Sequence, residues 1–159
     1  MLQLFTVYII DTNIVIDIAR RIYPRQHREE ARAVVERLIQ DGSVISHREV
    51  YLELQDGAKH GDAAFAWAKS NAPIFREVTE QHERDVLSVL AEHPSLADPT
   101  KTGPDADPWL VAVAMDTGGV IVTGDGAIKA VCDELQIRCI DVYEFLTENG
   151  WPTAATSDS

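Results

Sequence analysis

The sequence predicts an α/β fold: a three-layer α/β/α sandwich built around a central parallel sheet. Two observations predict it. Short β-branched runs of strand length alternate with segments of helical apolar spacing along nearly the whole chain. In addition, Asp11 and Asp125 stand at or just beyond the ends of apolar runs, where open parallel sheets gather their ligand-binding groups.

The elements follow in order. Residues 6–10 form a β-branched and aromatic run that stops at Asp11, whose side chain can cap the helix of residues 13–21. Tyr23-Pro24 ends that helix. Over residues 26–40, Ala31, Val34, Val35, Leu38 and Ile39 keep helical spacing, and Asp41-Gly42 supplies the stop. Residues 43–46 read as a short buried strand. Helices over 47–59 and 62–71 are separated near Gly57 and Gly61, and Pro73 closes the second. A strand at 74–78 leads to a helix over 80–92 that carries Val86, Leu87, Val89 and Leu90. Residues 93–104 hold three prolines and a glycine and read as a loop, either at an active site or a plain surface connection. Pro108 fits the first turn of a helix over 109–116, which Gly118-Gly119 ends. A strand at 120–123, a helix at 127–135, a strand at 137–140 and a helix at 142–148 complete the pattern. One domain is placed at residues 1–150 and a loose tail at 151–159, without internal repeats.

A chain of 159 residues with this pattern buries roughly 70% of the surface it exposes when unfolded, so it needs no metal or disulfide to hold together. The composition, 45% hydrophobic and 25% charged, is that of a soluble globular protein. The opening MLQLFTVYII has no basic start and its apolar run stops at Asp11, so neither a signal peptide nor a membrane span is expected, and the expected location is cytoplasmic. Cys132 and Cys139 are too far apart for a C-x-x-C motif and are expected to be buried, reduced thiols.

The net charge of −12 excludes a general nucleic-acid coat, which needs lysine and arginine to displace counterions from phosphates. It does not exclude a nuclease, because divalent cations held by carboxylates reverse the local field. Positive charge is concentrated: Arg20, Arg21, Arg25, Arg28, Arg32 and Arg37 are six of the 14 basic residues. The first four are candidates for RNA binding; the alternative is a solvated helix face balanced by Glu29, Glu30 and Glu36.

Four acids carry the candidate chemistry. Asp11 and Asp125 follow strands at one end of the sheet, Asp107 opens a helix just before Pro108, and Glu53 lies within a helix. Carboxylates converging from separate elements are what a hard divalent cation requires. Each has an ordinary alternative: helix caps for Asp11 and Asp107, a turn for Asp125-Gly126, a solvated surface for Glu53. Core packing, however, does not demand two acids at strand ends on one side.

Three stretches carry a family resemblance. VYIIDTNIVID (7–17) resembles the opening of PIN-domain ribonucleases, ISHREVYLELQDG (45–57) their Glu-Leu-x-x-Gly segment, and DADPWLVAVAMDTGGVIVTGD (105–125) their aspartate-led helix and Val-Thr-x-Asp strand end. The resemblance spans residues 6–146. Within the family it is nearest to VapC-type toxins and to a PIN-like subgroup of unassigned function, the latter fitting better the segment RRIYP (20–24) and the helix around Trp67.

The resemblance implies hydrolysis of RNA phosphodiesters with Mg²⁺ or Mn²⁺, held directly or through water by Asp11, Glu53, Asp107 and Asp125. Thr12, Asn13 and Thr123 are candidates to orient these carboxylates, with Asp105 a further ligand; local turn and cap bonds are their alternative roles. The implied partners are RNA, a small antitoxin that covers the acidic site with a basic or apolar segment, and a second copy of the chain. His47, His60, His82 and His93 share no metal spacing and read as surface residues, and Trp109 reads as packing with Val113. Glu49 lies one turn before Glu53, but Glu53 sits at the edge of the stripe Val50, Leu54, Ala58 and is the preferred ligand. Two rival functions remain: a catalytically silent PIN-like interaction module, and an aspartyl-phosphate phosphatase or receiver, for which Asn13 stands where such phosphatases carry a second aspartate.

Overall fold

The structure, a computed structural model, describes residues 6–20, 25–58, 62–98, 100, 103 and 105–152. Five short strands, β1 (Tyr8–Ile10), β2 (Val44–His47), β3 (Phe75–Arg76), β4 (Val120–Val122) and β5 (Cys139–Ile140), form a wholly parallel sheet in the order β3-β2-β1-β4-β5. The sheet is the middle layer of an α/β/α sandwich. β1 is central because both its faces are apolar: Tyr8, Ile9 and Ile10 are all buried, and Ile9 pairs with Ile45 on one side and Ile121 on the other. The strand order reverses direction at β1, so the carboxyl ends of β1 and β4 flank a crevice.

Eight helices were found among the described residues: α1 (Thr12–Arg20), α2 (Arg25–Gln40), α3 (Arg48–Gly57), α4 (Ala63–Ser70), α5 (Glu80–Glu92), α6 (Asp107–Thr117), α7 (Gly126–Leu135) and α8 (Val142–Glu148). α6 packs against β1, β2 and β4 as well as α5 and α7. It is apolar around its circumference, with Pro108 and Leu110 to Ala114 all buried, as a helix enclosed by other elements must be. Gly118 ends α6 in the left-handed conformation at φ 71°. Gly119 then lets the chain enter β4 against β1, since a Cβ there would lie 2.9 Å from the Val7 carbonyl oxygen.

Three expected elements are shorter or extended differently. The strand expected at 74–78 is reduced to Phe75–Arg76, because Pro73 sits in a 3-10 turn over Ala72–Ile74 that uses Ile74 N–H for a bond to Asn71 O. The strand expected at 137–140 begins at Cys139, because Ile137 N–H is taken by Cys132 O in the cap of α7. The tail expected from residue 151 does not include Trp151. Trp151 is 8% exposed and its indole N–H donates to His27 O at 3.0 Å, so the packed unit includes it; residues 153–159 lie outside the described residues.

Both cysteines are free, and Cys132 is buried as expected, but Cys139 is only half-buried because β5 is an edge strand. No helix among the described residues is long and apolar enough to cross a membrane.

Candidate active site

The site begins where β1 ends. Asp11 N–H donates to Val122 O at 3.1 Å, which extends the β1–β4 pairing by one residue, and Asp11 O accepts from Ile14 and Val15 to start α1. This fixes Asp11 in the crevice with 4% exposure. Its carboxylate accepts from Thr12 N and from Thr123 Oγ1, each at 2.6 Å. Burial pushes the carboxyl up to about 6; the two hydrogen bonds oppose this, and the charges of Glu53 and Asp125 add to it. Asp11 thus starts α1 with its carbonyl, and within α1 its side chain accepts from the N–H of the first helical residue.

Glu53 is not a solvated surface acid. Its Oε1 accepts from Thr12 Oγ1 and its Oε2 from Ala106 N, both at 2.6 Å, so one side chain on α3 ties the start of α1 to the start of α6. That second bond fixes the residue before Asp107. Asp107 is the first residue of α6, and the N-cap, Ala106, makes no side-chain cap bond. Burial, then the charges of Asp11, Asp125, Asp105 and Glu53, push the Asp107 carboxyl up to about 7. The charges acting most strongly on it are therefore all acidic.

Asp125 does serve as a cap: its Oδ1 accepts from Ala127 N at 2.7 Å and Ile128 N at 3.1 Å at the start of α7. Its own N–H donates to Thr123 Oγ1 at 3.0 Å, while that hydroxyl donates onward to Asp11. Thr123 therefore links the two strand-end aspartates through one oxygen. Asp105 Oδ2 accepts from Asp98 N at 3.0 Å and pins the preceding loop. Asn13 is exposed at the second residue of α1.

An open cleft of about 680 Å³ lies over Asp105, Asp107 and Asp125, walled by Pro94 to Asp98. The proline-rich segment expected as a loop thus forms one side of the cleft, stiffened by a 3-10 turn at Pro94–Leu96 whose Leu96 is buried. A second cavity, of about 550 Å³, lies at the other end of the sheet against Val7, Gly42 and His82 and does not touch the four acids.

The oxygen donors and unbalanced negative charge suit a hard divalent cation. Their spacing is open: among the described residues, no three of the acids, histidines and cysteines are gathered closely enough to hold a metal ion. The hydrogen bonds to Thr12, Thr123, Ala106 and the start of α7 account for that spacing, since each holds a carboxylate to its own element.

Arg20 stands apart from these acids. Arg20 lies at the far end of α1, about 12 Å along the helix from Thr12, and pairs with Asp62, the cap of α4. Arg28 is half-buried on α2; Arg21 and the Arg25 side chain lie outside the described residues.

The expectation of surface histidines is overturned for His47 and His82. His47 is fully buried, accepts from Glu49 N at 3.0 Å through Nδ1 to cap α3, and stacks on Trp109 with ring centroids 5.1 Å apart. Burial and the neighbouring His82 lower it to about 4. His82 is 4% exposed; it sits one turn before Val86 on the apolar stripe of α5, a spacing the sequence displayed. His93 is half-buried near Glu134, and His60 lies outside the described residues.

Over residues 8–153 the chain matches the family described as "Domain of unknown function (DUF4411)". Among solved structures it is similar to FitAcB from Neisseria gonorrhoeae (TM-score 0.57, 16% identity, 86% of this chain and 99% of that one). It is also similar to VapBC2 from Rickettsia felis bound to a promoter DNA fragment (0.58, 13%, 85% and 98%). A third is PAE2754 from Pyrobaculum aerophilum (0.56, 20%, 91% and 97%). At these identities the likeness establishes the fold. No curated protein matches in sequence.

Proposed function

This chain belongs to the DUF4411 family, a PIN-like family of unknown function, and from its carboxylate cleft we propose that it is a divalent-metal-dependent endoribonuclease. One observation supports the reading: Asp11, Glu53, Asp107 and Asp125 come from four elements around the crevice between β1 and β4, where burial first, and neighbouring acidic charge second, raise Asp11 to about 6 and Asp107 to about 7. Burying carboxylates beside other acids adds nothing to the stability of the fold. A bound cation removes their repulsion.

Asp11, Glu53, Asp107 and Asp125 would hold Mg²⁺ or Mn²⁺. Such an ion supplies Lewis acidity and a water acidic enough to attack a phosphodiester at neutral pH. The chain's own residues supply position. Thr123 fixes the Asp11 carboxylate and the Asp125 backbone together. Thr12 and Ala106 hold Glu53, and through it the entry to α6. Asp105 holds the cleft wall at Asp98, on the side where a single RNA strand would lie.

A small antitoxin is the proposed protein partner, with a homodimer as the proposed assembly; the likeness to FitAcB and VapBC2 supports the former. An excess of 12 negative charges favours a partner segment that is cationic. The open spacing of the acids favours one other reading, a silent PIN-like module that binds a partner without cleaving RNA. Incubation of purified protein with single-stranded RNA in Mn²⁺, with and without EDTA, separates the two: cleavage that EDTA stops supports the nuclease, and intact RNA in both supports the silent module.

A further inference from the structure

The cavity at the far end of the sheet plays no part in the carboxylate cleft. It measures about 550 Å³, within the range of roughly 300–1,000 Å³ typical of small-molecule sites. Its walls are apolar: Val7 just before β1, Ile45 on β2 and Val113 on α6. A planar or apolar body suits the space between them. Charged groups are few. Arg76, at the end of the edge strand β3, is exposed and makes no ion pair among the described residues. Glu77, the next residue, is paired with Arg48 at 3.3 Å, which leaves Arg76 to face an anion.

Asp116 lines the cavity from the last turn of α6, where a negative charge opposes the helix dipole and so does not serve the helix. Its Oδ2 lies 3.5 Å from His82 Nε2, longer than a good hydrogen bond. His82 is 4% exposed and is fixed at the start of α5 by its backbone N–H, which donates to Thr79 Oγ1 at 3.0 Å. Neither of its ring nitrogens has a hydrogen-bond partner among the described residues. Burying an imidazole in that state costs free energy unless a partner is supplied. The cavity thus sets a carboxylate, which only accepts, next to an imidazole N–H that lacks an acceptor.

A ligand that satisfies both carries two adjacent donors beside an acceptor. Guanine has that edge: its N1–H and exocyclic amino group suit the carboxylate, and its O6 suits the imidazole. Adenine does not, because its N1 lone pair would meet a carboxylate oxygen. The apolar walls take the faces of the ring, and the Arg76 guanidinium suits a phosphate. We propose that this cavity binds a guanine mononucleotide, with Asp116 and His82 reading the base and Arg76 holding the phosphate. The site shares no residue with Asp11, Glu53, Asp107 or Asp125, so the proposal does not depend on nuclease activity.

The test is equilibrium dialysis of the full chain against guanosine monophosphate (GMP), adenosine monophosphate or guanosine, in EDTA to remove metal-bridged binding at the carboxylates. GMP should bind at one site per chain, with the other two at least about 10-fold weaker. Arg76→Ala should lower GMP to the affinity of guanosine. Asp116→Asn turns one acceptor into a donor, so it should lose about 10- to 100-fold for GMP and prefer xanthosine monophosphate, in which an oxygen replaces the exocyclic amino group. Near-UV circular dichroism verifies that each variant is folded. Absence of GMP binding at millimolar concentration, equal affinity for the two monophosphates, or an Arg76→Ala protein that binds GMP as the wild type does overturns the assignment.

Discussion

Replacing Asp107 by Asn should stabilise the metal-free protein at alkaline pH, and the size of the effect follows from the site. In the folded state the Asp107 carboxyl is raised from 3.8 to about 7, so the folded protein holds this proton more tightly than the unfolded chain does. Stability from this group is present in acid and is lost as pH rises from about 4 through about 7. At face value, full ionisation costs about 4 kcal/mol. Partial exposure and repulsion shared with Asp11 reduce that to ~1–2 kcal/mol. Losing a negative charge at the start of α6 costs ~0.3–1 kcal/mol in the other direction. The net gain for Asp107→Asn is then about 1 kcal/mol at pH ~8, a rise in Tm of ~2–4 °C for a domain of this size. Below pH ~4, where the carboxyl is protonated in the folded and the unfolded chain alike, the gain should vanish. Thermal melts in EDTA across this range measure it. A mutant that is less stable than wild type at alkaline pH, or a difference that ignores pH, would refute the claim that burial and the neighbouring acids raise this carboxyl.

Other substitutions separate the parts of the site. Glu53→Gln should cut RNA cleavage severely, because one of its two acceptor oxygens becomes a donor, whereas Glu49→Gln should cost only a few tenths of a kcal/mol; side-by-side rates at saturating Mn²⁺ decide which residue belongs to the site. Thr123→Val removes the hydroxyl that serves both strand-end aspartates and should destabilise by ~1–3 kcal/mol in a urea melt; a neutral result would mean that the Asp11 hydrogen bond contributes nothing. Arg20→Ala should leave the salt dependence of RNA binding unchanged, since Arg20 is paired with Asp62. A slope flatter by about 0.7 would instead assign that arginine to a phosphate.

The fold was legible because its strands and helices are locally marked. The run that stops at Asp11, the Asp41-Gly42 stop and the Gly118-Gly119 break all coincide with observed ends to within a few residues. What local pattern could not show was how distant segments meet. Resemblance singled out Glu53 and Thr123, but spacing alone could not show that Glu53 ties Thr12 to Ala106 or that Thr123 donates to Asp11. Similarly, His47 is a buried ring packed between His82 on α5 and Trp109 on α6. Trp151 reads as tail because its partner, the His27 carbonyl, is 124 positions away.

The central claim is that these carboxylates serve a metal ion that cleaves RNA, and Asp11→Asn tests it most directly. Its amide keeps the size of the side chain and can still accept a hydrogen bond from Thr123, but it binds a hard cation far more weakly than a carboxylate. Time courses of single-stranded RNA cleavage in Mn²⁺ should show product from the wild type, none in EDTA and none from Asp11→Asn, while circular dichroism shows both proteins folded. Cleavage by Asp11→Asn at the wild-type rate would contradict the account.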